Sequence, residues 1–124
     1  MFQEDRLCGV FSAVANVRLA TGRTLPEPEI LRHLEELGLA GSARRPVSQL
    51  SGGMRRRVAI ARAVCAGPQL LLLDEAFKGL DDQCRRDAVA YIRRHTPGAS
   101  LLCVTHDPEE AALLGGRCLD LSAL

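Results

Sequence analysis

"QLLLLDEA", residues 69–76, runs an unbroken series of leucines straight into two carboxylates. A short apolar run without polar alternation is the pattern of a strand covered on both faces, as in parallel sheets flanked by helices. Such strands deliver their last residues to the carboxyl edge of the sheet, where α/β proteins bind ligands. Successive strand side chains point to opposite sides, so Asp74 and Glu75 are expected to do different jobs, one facing a metal and the other a water. A strand followed by an acidic helix start explains the same letters, and the stretch alone leaves both readings open.

Downstream, "SLLCVT" (100–105) and "RCLDL" (117–121) repeat the apolar run. Helices are expected between the three apolar runs, over 82–95 and from Pro108 to Leu114. Upstream, "FSAVANVRLA" (11–20) fits a short helix capped near Ser12. In "EILRHLEELG" (29–38), Ile30, Leu31, Leu34 and Leu37 recur at helical spacing before a Gly38 stop. In "SGGMRRRVAIARAVCAG" (51–67), Ser51 can cap a third helix. Val58, Ala61 and Val64 give it an apolar stripe, and Gly67-Pro68 ends it. The expected organisation is therefore a helical part, residues 1–66, followed by an α/β part, residues 67–124.

Composition narrows the partners. The 124 residues carry 16 basic and 15 acidic side chains, a net charge of +1, so no bulk field drives the chain onto nucleic acid or an anionic membrane. With 3% aromatic residues and no Trp there is no material for a base-stacking platform. The 5 cysteines are widely spaced and form no C-x-x-C pair, which fits reduced packing residues in a cytosolic protein. Glu4 and Asp5 stand where an export signal would carry positive charge, and no run reaches the ~18 apolar residues of a membrane span.

Two more stretches carry chemistry. "LSGGM" (50–54) sets a serine and two glycines at a helix start, where free backbone N–H groups and the helix dipole favour an anion such as phosphate. An ordinary capped loop has the same letters. "VTHD" (104–107) puts His106 just past the second buried strand, on the same sheet edge as Asp74 and Glu75, in a position to polarise or sense a phosphate or simply to hydrogen-bond.

Taken together and in order, these stretches resemble the ATP-binding subunits of ABC transporters. "FQEDRL" (2–7) looks like the Gln loop, "LSGGMRRRVAIARAV" (50–64) like the signature motif and its helix, and "QLLLLDEA" like the Walker B strand. "KGLDD" (78–82) looks like the D-loop and "VTHD" like the switch-histidine loop. Met54 stands where the signature often has Gln, and Ala76 replaces a common Pro. The resemblance implies an α/β fold. It would be part of a P-loop NTPase core, with parallel strands covered by helices, plus a helical signature subdomain.

The resemblance also implies roles. ATP and Mg²⁺ are the expected ligands. Asp74 would hold Mg²⁺, with Gln3 sensing the metal and the γ-phosphate. Glu75 would be the general base for the attacking water, and His106 would contact the γ-phosphate. Ser51, Gly52 and Gly53 would bind the γ-phosphate of ATP held by a second ATPase subunit in a head-to-tail dimer, and Asp81 would communicate across it. Residues 7 to about 66 would dock on membrane-spanning transporter subunits, placing the protein on the inner face of the cell membrane. The wording "FQEDRL" is importer-like, and neither a coiled-coil insertion nor a basic patch points to the nucleic-acid branches of the family.

One element of the family is absent from these residues: the phosphate loop G-x-x-x-x-G-K-[ST], whose Lys neutralises the β/γ-phosphates. Lys78 is the only lysine and follows Phe77. A truncated subunit, inactive by itself, is therefore expected. The competing expectation is a non-catalytic module that lends its signature to an intact partner or docks on a membrane subunit.

Overall fold

The computed structural model describes Met1 and residues 4–122, so Gln3 and its expected role lie outside the described residues. Three helices come first: α1 (Ala13–Thr21), α2 (Glu27–Glu36) and α3 (Gly52–Cys65), with single 3₁₀ turns at Ala40–Ser42 and Val47–Gln49. Strand β1 (Leu70–Asp74), helix α4 (Asp82–His95), strand β2 (Ser100–Val104) and helix α5 (Pro108–Leu114) follow.

The helix starts are set by local chemistry. Ser12, Ser51 and Asp81 each sit in extended backbone and accept a hydrogen bond from an N–H of the following turn, as N-caps do. Pro at the start of α2 and of α5 costs no hydrogen bond, because the first helical N–H groups have no partner inside the helix.

Helix α1 packs on α2 and α3, and α3 in turn meets α4. Val17, Ile30, Leu34, Val58 and Ile60 are completely buried between them. The same cluster continues into Leu71 and Leu73 of β1 and Ala88, Tyr91 and Ile92 of α4. Asn16 is buried with its amide fully used: its Nδ2 donates to the carbonyls of Cys8, Phe11 and Ser12, and its Oδ1 accepts from Cys8 N at 2.8 Å. It staples the loop before α1 onto the helix.

β1 and β2 pair in parallel, Leu70 opposite Ser100 through to Asp74 opposite Val104. The connection runs through α4, as parallel pairing requires. On the other edge of β1, Met1 donates to Leu72 O and accepts from Asp74 N.

The structure departs from the sequence expectation at three places. First, the strands are not covered on both faces. Leu71 and Leu73 are buried, but Leu70 (55%), Leu72 (49%), Leu102 (58%) and Val104 (54%) are exposed, because no element of the described residues packs on that side. Second, 117–121 is not a strand. A strand exists only through a ladder, and this stretch pairs with neither β1 nor β2; Leu119 and Leu121 lie in solvent. Third, Glu75 is not a strand residue. The strand ends at Asp74, and Glu75 turns into the left-handed region at φ 49°.

Candidate functional site at the carboxyl edge of the sheet

Asp74 is the last residue of β1 and its side chain is exposed. The turn at Glu75 follows from its bonds: its N–H donates to Val104 O at 2.9 Å, carrying the ladder one residue past β1, and Lys78 N then donates to Glu75 O. A non-glycine residue in this conformation costs about 1–3 kcal/mol and persists only where its surroundings hold it. Here Ala76 and Phe77, both buried, hold the next two positions. Burial of a side chain the size of Phe77 contributes about 1.5–3 kcal/mol, enough to offset that strain.

The bend aims the Glu75 carboxylate at the end of β2. Its Oε1 lies 2.7 Å from Nδ1 of His106. The Glu75 side chain is mostly buried, whereas His106 is 81% exposed, so the pair has one fixed and one open member. The hydrogen bond and charge of Glu75 raise the His106 pKa above its usual value. The loop bearing His106 is anchored on both sides. Thr105 Oγ1 donates to Glu110 Oε2 at 2.5 Å and accepts from Asp107 N at 3.0 Å.

The signature-like residues form a second group. Ser51 caps α3 by accepting from Met54 N at 3.2 Å. Gly53 lies against the loop after Phe77: a Cβ on it would meet Gly79 O at 3.6 Å and Leu80 Cδ2 at 3.7 Å. Gly52 and Gly53 line an open cleft of about 560 Å³ with Lys78, Gly79, Arg56, Glu4 and Asp5. The N-terminal end of α3, two cations, two acids and a glycine turn thus surround a space open to solvent. Asp81 closes the loop as the cap of α4, accepting from Cys84 N at 2.8 Å, and this bond lowers its pKa.

The structure therefore joins Glu75 with His106 and sets Gly53 against Gly79 and Leu80, with Gly52 lining the same cleft and Ser51 capping the helix beside them. Asp74 stands beside the first group and Asp81 behind the second. Sequence reasoning passed over Arg56 and Arg62. Arg62 donates to the carbonyls of Asp5 (2.7 Å) and Arg6 (2.9 Å), and Arg56 Nη1 lies 3.0 Å from Asp5 Oδ1. Helix α3 thereby holds the segment just after Gln3. The available signal was an arginine embedded among the apolar residues of α3.

Among the described residues no cluster of three or more His, Cys, Asp or Glu side chains is arranged to hold a metal. An exposed single carboxylate such as Asp74 fits Mg²⁺, which is commonly held by one or two carboxylates with substrate phosphates supplying further oxygens.

The fold recurs in solved ABC transporter cassettes. The dimeric structure of MJ0796, described as a bacterial ABC transporter cassette, superposes with a TM-score of 0.81 at 28% identity, over 90% of this chain and 53% of that one. A second MJ0796 structure, in a post-hydrolysis state bound to ADP and Pi, gives 0.80. The fold is thus part of the α/β cassette of ABC ATPases, a P-loop NTPase fold. A family profile described as ABC transporter matches residues 1–78, and the chain belongs to that family. The aliphatic sulfonates import ATP-binding protein SsuB 2 of Burkholderia lata is 44% identical over 98% of this chain and 46% of its own length. SsuB 1 of Paraburkholderia xenovorans is 45% identical over 96% of this chain and 35% of its own. The chain spans about half the length, or less, of the curated relatives it matches.

Proposed function

We propose that these residues are the signature and hydrolytic half of the ATP-binding subunit of an importer-type ABC transporter. The observation that carries this is the Glu75–His106 pair, 2.7 Å apart at the carboxyl edge of the parallel sheet beside Asp74. In this assignment Glu75 accepts a proton from the attacking water, and His106, exposed and held by Glu75, donates a hydrogen bond to the γ-phosphate. Asp74 would hold Mg²⁺ through water, and the metal when bound would neutralise phosphate charge. Ser51, Gly52 and Gly53 would meet the γ-phosphate of ATP held by a second subunit, and Asp81 would report across that contact.

The phosphate cradle has to come from outside these 124 residues, since they contain no G-x-x-x-x-G-K-[ST] loop. Residues 1–66 would form the signature part that docks on a membrane-spanning subunit at the inner face of the membrane, and 67–124 the part bearing the acids. No helix among the described residues is long and apolar enough to cross a membrane. The names of the SsuB relatives make aliphatic sulfonates a substrate class worth testing.

Mixing the chain with a full-length SsuB-type subunit tests the assignment. Added chain is expected to change the subunit's ATP turnover, and Ser51→Arg, which puts a long side chain at the cap of α3, is expected to abolish the effect. Identical turnover with and without the chain counts against the assignment.

A further inference from the structure

Arg85, in the first turn of α4, lies outside the site and is heavily engaged. Its side chain is only 11% exposed, yet it serves three carboxylates on two elements. Nη1 donates to Asp107 Oδ2 at 2.7 Å, and Nη2 donates to Asp82 Oδ1 at 2.7 Å and Glu109 Oε2 at 2.8 Å. Its Nε is buried without a partner. Asp82 and Glu109 are mostly exposed; Asp107, at 31%, is the covered one.

Asp107 follows His106 directly. Its Oδ1 caps α5 by accepting from Glu109 N at 2.9 Å, so its carboxylate is divided between the helix and the guanidinium. Arg85 stands in the first turn of α4, its N–H donating to Asp81 O. A rigid fork with five donors can hold several carboxylates at fixed angles, which a lysine's point charge cannot. The exposed His106 ring has one hydrogen-bond partner of its own, Glu75. Its direction therefore depends on the backbone that Thr105 and Asp107 fix.

We propose that Arg85 is a positioning residue for His106: by gripping Asp107 from α4 it fixes the loop so that the exposed imidazole stays on Glu75. That the held ring then serves a phosphate rests on the function proposed above. The ring geometry does not, and it can be read without nucleotide, so failure of one is distinguishable from failure of the other.

The test is NMR on the full 124-residue chain, reading the His106 ring nitrogen shifts and the cross-peaks between its ring protons and the Glu75 methylenes. Arg85→Gln is expected to lose the cross-peaks and move the ring shifts to those of a free imidazole, and Arg85→Lys to recover them in part. Glu109→Gln, which removes an exposed partner only, is expected to leave them in place. Should Arg85→Gln fail to fold, Asp107→Asn decides: its oxygen can still cap α5 while its amide faces the guanidinium, and the same loss is expected. Unchanged cross-peaks and shifts in a folded Arg85→Gln or Asp107→Asn chain overturn the proposal.

Discussion

The helical bundle of α1, α2 and α3 and the two-stranded sheet are finished to different degrees, although the strands are the more apolar in sequence. In the bundle Val17, Ile30, Leu34, Val58 and Ile60 are fully enclosed, and Asn16 satisfies the loop carbonyls at its edge. In the sheet only the inner residues Leu71 and Leu73 are enclosed, while Leu70, Leu72, Leu102 and Val104 form a continuous open face. Apolar sequence decides that a residue can be buried; the presence of a packing neighbour decides whether it is. The Glu75–His106 contact nonetheless forms, because it is set by bonds along the strand ends rather than by what covers the face.

Substitutions can break this contrast. Leu34→Ala should leave a cavity in a closed core and cost about 2–5 kcal/mol in denaturant unfolding. The comparable change on the open face, Leu102→Ser, should alter stability by less than about 0.5 kcal/mol. A similar loss at both positions would mean that the sheet face is closed in solution. Asn16→Ala comes next: it strips hydrogen bonds from buried carbonyls and should cost about 1–3 kcal/mol, read in the same unfolding assay.

A smaller effect lies where α2 meets α4. His33 Nδ1 lies 2.8 Å from the Tyr91 hydroxyl, and its ring lies tilted with its centroid 4.5 Å from that of His95, which with Arg94 pairs with Glu36. Burial, then the positive charge of His95, lowers the His33 pKa from 6.5, against the opposing pull of Glu36. The folded chain thus binds fewer protons at His33 than the unfolded chain does. Its stability is complete above about pH 6.5 and is lost as the pH falls from there towards the lowered folded value. His106 acts in the opposite sense, because its raised pKa gives stability that is present below 6.5 and fades above it. Being so exposed, it should contribute less. Urea midpoints measured between pH 5 and 8 should fall less steeply on the acid side for His33→Gln than for the unsubstituted chain.

How much of this was legible depended on whether the cause was local. The caps at Ser12 and Ser51 were written in single letters and helix α4 could be bounded, whereas the cap at Asp81 was not read. "RCLDL" misled because an apolar run looks alike with or without a ladder to join. The bend at Glu75 was hidden because it arises from Val104, 29 positions away in sequence by their numbers, and from the burial of Ala76 and Phe77. The two strand ends put His106 on the same sheet edge as Glu75, where the pair is found 2.7 Å apart, but the arginines that hold their surroundings were silent. Arg62 and Arg85 act through contacts that only the folded chain creates.

The central claim is that Asp74, Glu75 and His106 are arranged for a phosphate that these residues do not themselves cradle. Calorimetric titration of Mg–ATP into the folded 124-residue chain, its helix content checked by circular dichroism, addresses this directly. No saturable heat in the micromolar range is the predicted result, and saturable micromolar binding to the chain by itself would contradict it.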